Sequence, residues 1–470
     1  MAKKVPWARR IGYITAILFF IILAPLLIYY VQGYRYNSYK QKIEPKGILI
    51  VETTPKGAQV SIDGQKIDST TPLERNDLRP GNYELSLDLA GYFEWKKNIA
   101  IKAQETTIIN KISLIRNDSP WQNLNNIPTN ISTALENKDK TSIAFISEDA
   151  KNKLPNLVIY DVKNNKFNII YNFKTKFNDA PLEPISWSPD NKFLLLKQKV
   201  NGQNHYLIVN TKKQQSLINL AWPQPTNDTQ WTANGQGLIL SDKKQLTLIN
   251  TTNGQREVLL NKGADSLISY YFNKENFSND IYYLEQNINN KSFSISKIDI
   301  NNKKIQLITN NLNDLNTDYK FAGIINEKIL LLNNKKQIMQ MVPLTTDKNN
   351  YLTEEQIIGI KDFIIDDGKN EIFYYNDLEL WHYDLSAQTK KLITRYGNEI
   401  KKIQQHSNQY LLVQHGDSLD LVDWDNIENQ WQITQINDSN DSWVWQSPEL
   451  SIFTKTPETT TVKTKKLSTD

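Results

Sequence analysis

The sequence predicts an all-β protein with one N-terminal transmembrane helix, a small β-sandwich and a β-propeller of about eight blades, with seven as the alternative. Three observations predict this architecture: a charge-free apolar run at residues 11–31, a period-two alternation of apolar residues through 47–115, and a repeat of four strands through 119–466. The chain of 470 residues has room for all three parts. Its mean hydropathy of -0.54 argues against several membrane spans.

The composition excludes several classes of function. A net charge of +4, from 55 basic and 51 acidic residues, provides no basic stripe, so we expect no nucleic-acid partner. The chain contains no Cys. Disulfides, thiolate metal sites and Cys nucleophiles are therefore excluded, and the fold must be held by packing.

Residues 11–31, IGYITAILFFIILAPLLIYYV, are predicted to form a transmembrane helix. At 1.5 Å per residue this run reaches roughly 30 Å, the thickness of the hydrocarbon core. The rival interpretation is a cleaved signal peptide. The run is longer than the usual apolar region of such a peptide, and Val31-Gln32-Gly33 is a poor cleavage site, so the pattern favours an uncleaved signal-anchor.

Residues 1–10 are predicted to be a cytoplasmic tail and residues 32–46 a juxtamembrane stalk. The basic residues on the two sides of the helix are equal in number. Those before it are Lys3, Lys4, Arg9 and Arg10, and those after it are Arg35, Lys40, Lys42 and Lys46. The charges therefore give little information on orientation. Because nearly all of the chain follows the helix, we expect a single-pass membrane protein whose bulk is extracytoplasmic.

Residues 47–115 have the pattern of short half-buried strands. Apolar side chains alternate with polar neighbours at Ile48, Ile50, Val60, Ile62, Tyr83, Leu85, Leu87, Leu89, Ile99, Ile101, Ile108, Ile112 and Leu114. Turn-forming residues separate the runs at Pro55-Lys56-Gly57, Asp63-Gly64, Pro80-Gly81 and Ala90-Gly91. The pattern predicts a compact antiparallel sandwich.

This segment resembles the PEGA domain family along its whole length. Pro55, Gly57 and Ala58 stand at the turn that gives the family its name, with Lys56 in place of the usual acidic or polar residue. The strings TPLERNDLRPGNYELSLDLAGY and KNIAIKAQETTIINKISL continue the match in the expected order. The resemblance implies a β-sandwich of bacterial and archaeal surface proteins, used for interaction or spacing without catalysis. It implies no particular ligand.

From residue 130 onward the chain repeats a unit of four strands. Trp187 and Trp231 stand at matching points of two units and are 44 residues apart, within the spacing of about 40 to 45 residues for a propeller blade. Residues 130–466 give about 42 residues each for eight blades and about 48 for seven. The spacing therefore favours eight blades.

The string WSPDNK at 187–192 resembles the WSPDGK turn of TolB-like and WD-type propeller repeats, with Asn191 where Gly is usual. WTANG at 231–235 is a weaker copy. Propellers usually close by pairing strands from the two chain ends in one blade. The last blade lacks a fourth strand, and we expect DSPWQNL, residues 118–124, to supply it.

One string looks enzymatic. His415-Gly416-Asp417-Ser418-Leu419 contains GDSL, which opens the nucleophile motif of a large esterase and lipase family. Those enzymes place the base His far downstream, whereas His415 is the last His of this chain. We therefore predict that Ser418 is a hairpin-turn residue.

The remaining candidates for chemistry form no recognisable site. His205, His382, His406 and His415 have no metal-ligand spacing. Asp366-Asp367-Gly368 and the run 438–441 lack the alternating ligands of a calcium loop and are predicted turns. We accordingly expect no catalytic, cofactor-binding or metal-binding residues, no cofactor and no enzyme activity.

The sequence therefore predicts a membrane-anchored binding or scaffold protein that presents a propeller surface to a protein or glycan partner at the cell envelope. The alternative is a propeller enzyme that acts on surface glycan or peptide, with a carboxylate pair at the propeller mouth. A third hypothesis is a sensor that signals through the helix, for which the ten-residue tail offers no output domain.

Overall fold

The computed structural model describes the greater part of the chain. The described residues are 7–31, 34–37, 42–123, 134–139, 141–148, 154–161, 164, 166–174, 182–200, 203–221, 228–262, 266–273, 279–287, 289, 291–312, 315–344, 355–366, 368–437, 441–446, 449–455 and 460–468. The chain forms two compact units. Unit 1 contains residues 1–120 and 466–470, and unit 2 contains residues 121–465.

Unit 1 begins with one long helix, α1 (Trp7–Val31), which contains Pro25. Its segment Ile11–Val31 is long and apolar enough to cross a membrane, and no part of that segment is buried by the protein. The bounds agree with the apolar run in the sequence. A signal sequence near an N-terminus can also be apolar and long enough to meet these criteria, so the helix is a membrane anchor or a signal sequence.

A short hairpin follows α1 where the sequence predicted a stalk. Strands β1 (Tyr34–Asn37) and β2 (Lys42–Pro45) pair antiparallel. The ring of Tyr29 in α1 meets the ring of Tyr34 edge to face, with centroids 5.2 Å apart. The hairpin was not predicted, because four-residue strands give too short a pattern to recognise.

The rest of unit 1 is a two-sheet sandwich. Its strands are β3 (Gly47–Thr54), β4 (Gln59–Ile62), β5 (Gln65–Thr70), β6 (Leu73–Leu78), β7 (Gly81–Asp88), β8 (Trp95–Ile101) and β9 (Thr106–Ser113). One sheet has the order β6-β3-β9 and the other β5-β4-β7-β8. The apolar side chains between the two sheets form the core of the unit, and they include Leu49, Val60, Leu85, Leu87, Trp95 and Ile112.

Two details of the sandwich differ from the sequence prediction. Strands β3 and β9 pair parallel, so the sandwich is mixed rather than antiparallel throughout. In β3 the fully buried side chains are Leu49 and Val51, while Ile48 and Ile50 are only half-buried. The run Gly47–Val51 is apolar at every position after the glycine, so alternation alone could not indicate which face is turned inward.

The predicted turns are present. Asp63 and Gly64 both have positive φ, 48° and 74°, as a two-residue hairpin turn requires. Gly57, in the predicted Pro55-Lys56-Gly57 turn, has φ of 95°. Thr71 holds this turn, because its hydroxyl accepts the Ala58 N–H at 3.0 Å and its carbonyl accepts the Gly57 N–H at 2.8 Å.

The last described residues return to unit 1, which the sequence did not predict. The Arg116 N–H donates to the Leu467 carbonyl at 2.9 Å. The Leu467 side chain is completely buried. The C-terminal segment is thus part of the fold of unit 1.

Unit 2 consists of eight four-stranded sheets. Its first strand in the chain, β10 (Gln122–Asn123), belongs to sheet 8. Sheet 1 contains β11 (Leu135–Glu136), β12 (Ser142–Glu148), β13 (Pro155–Asp161) and β14 (Lys166–Asn172), and sheet 2 contains β15 (Glu183–Trp187), β16 (Phe193–Val200), β17 (Gln203–Asn210) and β18 (Leu217–Ala221). Sheet 3 contains β19 (Asp228–Trp231), β20 (Gly237–Ser241), β21 (Gln245–Asn250) and β22 (Arg256–Asn261), and sheet 4 contains β23 (Leu267–Phe272), β24 (Asp280–Gln286), β25 (Phe293–Asp299) and β26 (Ile305–Leu312). Within each sheet the strands follow chain order as an antiparallel meander.

Sheets 5 to 7 repeat this order, and sheet 8 completes the series. Their strands are β27 (Tyr319–Ile325), β28 (Lys328–Asn333), β29 (Ile338–Pro343), β30 (Glu355–Ile358); β31 (Asp362–Asp366), β32 (Glu371–Tyr375), β33 (Glu379–Asp384), β34 (Thr389–Arg395); β35 (Ile400–Gln405), β36 (Tyr410–His415), β37 (Ser418–Asp423), β38 (Gln430–Gln435); and β39 (Asp441–Gln446), β40 (Glu449–Lys455), β41 (Thr460–Lys466). The propeller prediction is confirmed with eight sheets rather than seven.

Sheet 8 has the order β10-β41-β40-β39. Gln122 pairs with Thr464 and Asn123 with Lys463. The segment 118–124 therefore supplies the fourth strand of the last sheet, as the sequence predicted. As the structure describes them, sheets 1 to 7 are each formed by four consecutive strands of the chain.

The core of unit 2 lies between neighbouring sheets. One cluster joins sheets 2 and 3 through side chains such as Leu195, Ile208, Trp231 and Leu238. Comparable clusters join sheets 1 and 2, 3 and 4, 4 and 5, 5 and 6, and 8 and 1. Another joins sheets 6 and 7 through Phe373 and Leu411. Each middle strand is thus covered on both faces, which explains its nearly continuous apolar sequence.

Candidate functional site

The WSPDNK string forms a tight turn between the first two strands of sheet 2. The Ser188 hydroxyl donates to Asp190 Oδ1 at 2.7 Å and accepts the Phe193 N–H at 2.9 Å. Asn191 has φ of 57°, a left-handed conformation that Gly and Asn tolerate best. The substitution of Asn for the usual Gly is therefore compatible with the turn.

The weaker copy in sheet 3 has the same geometry. The Thr232 hydroxyl donates to Asn234 Oδ1 at 2.8 Å and accepts the Gly237 N–H at 2.9 Å. Gly235 occupies the left-handed position with φ of 69°. Hydroxyl, acceptor side chain and left-handed residue recur at matching positions, so the two turns are structural repeats.

Among the described residues, a second turn recurs at the end of the third strand of sheets 1 to 4, 6 and 7. There the side-chain oxygen of an Asp or Asn residue accepts hydrogen bonds from the backbone N–H groups of the residues that follow it. These Asp and Asn residues are Asp161, Asn210, Asn250, Asp299, Asp384 and Asp423. Such side-chain-to-backbone bonds fix the turn. They also place polar side chains at the same end of each sheet as the WSPD-type turns.

Where sheets 3 and 4 meet, these turns line a cleft of about 350 Å³. Sheet 3 contributes both kinds of turn, and sheet 4 contributes the residue before β24 and the turn after β25. Six exposed amide side chains line the cleft, namely Asn234, Gln236, Asn250, Gln255, Asn279 and Asn301. The volume lies at the lower end of the range of roughly 300 to 1,000 Å³ for small-molecule sites.

The cleft has a small apolar part and little net charge. Leu248 and Ile300 are half-buried and supply the apolar lining. The carboxylate of Glu257 also lines the cleft, and its Oε1 lies 2.8 Å from Lys303 Nζ. This arrangement can offer many hydrogen bonds to an uncharged polar ligand. No sequence motif marks these residues as a binding site.

The GDSL string forms a hairpin, as predicted. Gly416 and Asp417 make the turn between β36 and β37, and His415 pairs with Ser418 across it. The Ser418 hydroxyl accepts a hydrogen bond from Gln432 Nε2 at 2.9 Å. His415 instead has its Nε2 3.2 Å from Asp420 Oδ2. The predicted hairpin is therefore present, and Ser418 is the first residue of β37, directly after the two-residue turn.

The other His residues remain in separate places. His205 is in β17, His382 in β33, and His406 follows β35. His382 contacts two aromatic rings, with ring centroids 5.2 Å from Phe373 and 4.9 Å from Trp424. Within the described part of the chain, no group of three or more His, Asp or Glu side chains could hold a metal ion.

In the first acidic run, Asp366 is the last residue of β31 and Gly368 lies in a turn before β32, which begins at Glu371. Asp366 Oδ2 accepts a hydrogen bond from Gln405 Nε2 at 3.2 Å. Asp367 lies outside the described residues, as do positions 438–440 of the second run. Asp441 is the first residue of β39.

The first strands of sheets 7, 8 and 1 contribute a second polar cluster. Lys402 Nζ donates to the Trp443 carbonyl at 2.9 Å and lies 4.1 Å from the centre of its ring. Gln404 Nε2 donates to Glu136 Oε1 at 2.8 Å. Burial lowers the pKa of Lys402, and the Glu136 carboxylate opposes this shift. The cluster links three sheets, and no sequence motif marked it.

Comparison with known proteins identifies one part of the chain. The PEGA domain family model matches residues 46–113. No curated protein shows significant sequence similarity to the chain. The sandwich of unit 1 is thus the part whose family is known.

Solved structures resemble the chain only distantly. A crystal structure of a eukaryotic initiation factor is 15% identical with a TM-score of 0.49 and covers 74% of this chain and 88% of its own. The Dos1 propeller is 14% identical with a TM-score of 0.49, over 74% and 94%. Oligogalacturonate lyase from Vibrio parahaemolyticus is 8% identical with a TM-score of 0.41, over 72% and 98%. At these values no ligand or activity transfers to this chain, which carries a PEGA domain at 46–113 followed by a β-propeller-like region.

Proposed function

We propose that the protein is a membrane-anchored binding or scaffold protein of the bacterial cell envelope. In this proposal α1 is an uncleaved anchor, and units 1 and 2 both lie outside the cytoplasmic membrane. Unit 2 presents its turns to a protein or glycan partner. The protein acts by binding and has no catalytic step.

The observation that carries the proposal is the exposure of α1. The apolar side chains of Ile11–Val31 are not buried by the protein, so a lipid environment would bury them at a gain of roughly 25 cal/mol per Å². The chain that follows α1 folds into β units with exposed turns. Such turns on a rigid scaffold are where binding residues are most often found.

The test uses the full chain with a C-terminal tag in spheroplasts. Protease added outside should degrade unit 2, and a cytoplasmic control protein should stay intact. Complete protection of unit 2 until the cells are lysed would overturn the proposed orientation.

N-terminal sequencing of the same protein tests the anchor. We expect the mature chain to retain α1. A mature chain that begins near Tyr34 would show that α1 is removed as a signal sequence, and the anchored part of the proposal would fail. Crosslinking in intact cells, followed by capture through the tag, would then identify what unit 2 contacts.

A further inference from the structure

The cleft between sheets 3 and 4 offers hydrogen-bonding groups that the fold does not use. The side chains of Gln255 and Asn301 line the cleft and make no hydrogen bond with the described protein. Their backbone N–H groups donate to the side-chain oxygens of Asn253 and Asp299, respectively. The backbone of both residues is therefore fixed, while their carboxamides remain available to a ligand. Each carboxamide can donate two hydrogen bonds and accept two.

In two neighbouring amides of the cleft, Asn234 and Asn250, the side-chain oxygen and the NH₂ group have different roles. The Asn234 side-chain carbonyl accepts two bonds within its turn, from the Thr232 hydroxyl and the Gln236 N–H. The Asn250 carbonyl likewise accepts the N–H groups of Thr252 and Asn253. In both residues the turn engages the oxygen, and the NH₂ group remains as a donor. The cleft thus combines fixed donors with groups that can donate or accept.

The composition of the cleft disfavours charged and aromatic ligands. Its carboxylate, Glu257, is engaged by Lys303, so neither an anion nor a cation would find an uncompensated partner there. Among the described lining residues none is aromatic, and stacking of a nucleobase needs such a ring. Leu248 and Ile300 supply a limited apolar surface, against which the C–H face of a sugar ring could pack.

A peptide is also disfavoured as the ligand. Peptides bind through apolar anchors in pockets or by adding a strand to a free sheet edge. The cleft is formed mainly by turns, and its apolar part is two half-buried side chains. We propose that the amide-lined cleft between sheets 3 and 4 binds a neutral mono- or disaccharide unit of an envelope glycan, an inference that rests on the proposed binding function.

The experiment uses the full chain in phospholipid nanodiscs, because alkyl glycoside detergents would compete for a sugar site. Cellobiose and N,N′-diacetylchitobiose are the neutral probes, and digalacturonate is the charged comparison. Binding is followed by saturation-transfer NMR and titration calorimetry. We expect at least one neutral probe to bind in the high micromolar to millimolar range, and digalacturonate to bind more weakly.

The variants Gln255→Ala and Asn301→Ala test the location. Because neither carboxamide supports the fold, each should weaken binding about threefold to tenfold without changing the unfolding midpoint. Gln388→Ala is the matched control. Gln388 is an exposed amide in the turn after the third strand of sheet 6, outside the cleft, and this variant should bind as the parent does.

Three results would overturn the proposal: no neutral probe binds, digalacturonate binds more tightly than both, or the cleft variants bind as tightly as Gln388→Ala. These outcomes are distinct from failure of the proposed function. Protection of unit 2 from external protease would refute the envelope orientation while the titration in nanodiscs stayed unchanged.

Discussion

Gln122 pairs with Thr464 at the edge of sheet 8, and Asn123 pairs with Lys463 beside it. Lys463 Nζ also lies 4.8 Å from the centre of the Trp121 ring. A two-residue strand from the start of unit 2 thereby covers the last long strand of the repeat region. Because both ends of the unit meet in one sheet, loss of either end exposes a strand edge.

The first prediction removes this strand. A fragment that begins at Ser119 and runs to Asp470 should unfold in one cooperative transition, whereas one that begins at Asn130 should be less stable. Each lost hydrogen-bonded or apolar group costs roughly 1 to 3 kcal/mol, so we expect a loss of several kcal/mol. Urea unfolding followed by fluorescence measures the difference. Equal midpoints would mean that β10 does not stabilise unit 2.

Much of this architecture was predictable because its signals are local. Period-two alternation and recurring turn residues predicted four-strand units, and the spacing of Trp187 and Trp231 gave their length. The face of β3 was not predictable, since its run of apolar residues has no polar alternation. The return of Leu467 to unit 1 was not predictable either. Leu467 and Arg116 are far apart in the chain, and a contact between distant residues produces no periodic pattern in the sequence.

The candidate cleft could not be predicted for a related reason. Gln255 and Asn301 belong to turns in different sheets, and only the packing of sheet 3 against sheet 4 brings them together. One sequence signal was available: the Asx residue that ends the third strand, as at Asn250 and Asp299. This signal marks the turns but not which neighbouring turns form a cleft.

The second prediction concerns the left-handed residue of the WSPDNK turn. Asn191→Ala places an ordinary L-residue at φ of 57° and should reduce the stability of unit 2 by about 1 to 2 kcal/mol relative to Asn191→Gly. Both variants lose the hydrogen bond from the Asn191 side chain to Asp139, so the comparison isolates the backbone cost. Urea unfolding of the two variants gives the measurement. A more stable Ala variant would contradict the prediction.

The third prediction concerns pH. Burial lowers the pKa of His382 below its usual 6.5, so just below pH 6.5 the unfolded chain binds a proton that the folded protein does not. The stability from neutral His382 is fully present above that pH and is lost as pH falls through this window. Burial raises the pKa of Glu371, whose Oε1 lies 3.6 Å from His382 Nε2, above its usual 4.5. Just above pH 4.5 the folded protein therefore binds a proton that the unfolded chain has lost, so Glu371 adds stability as the pH falls and opposes the effect of His382.

We therefore expect the thermal midpoint of the parent to fall between pH 7 and pH 5.5, and His382→Gln to flatten this slope whatever its effect at neutral pH. Differential scanning fluorimetry over this range is sufficient, and the slope is the readout. An unchanged slope in His382→Gln would exclude this residue as the source of acid sensitivity.

The fourth prediction concerns the GDSL string. Ser418→Ala removes a hydroxyl that accepts one hydrogen bond from Gln432, and nothing in the hairpin depends on it otherwise. The variant should fold and bind as the parent does, and any trace hydrolysis of p-nitrophenyl acetate should be unchanged. Loss of a hydrolase activity in a folded Ser418→Ala protein would overturn the non-enzymatic proposal and favour the alternative of a propeller enzyme.

The last prediction concerns the C-terminal return to unit 1. Leu467 is completely buried, so Leu467→Ala should leave a cavity and destabilise unit 1 by about 2 to 5 kcal/mol. Its half-buried neighbour Ser468 provides the control Ser468→Ala, which should cost little. Hydrogen–deuterium exchange with mass spectrometry separates the two units in the full chain. We expect faster exchange in peptides from 106–118 of the Leu467→Ala protein, because the Arg116 N–H donates to the Leu467 carbonyl. Unchanged exchange in those peptides would show that the C-terminal segment does not stabilise unit 1.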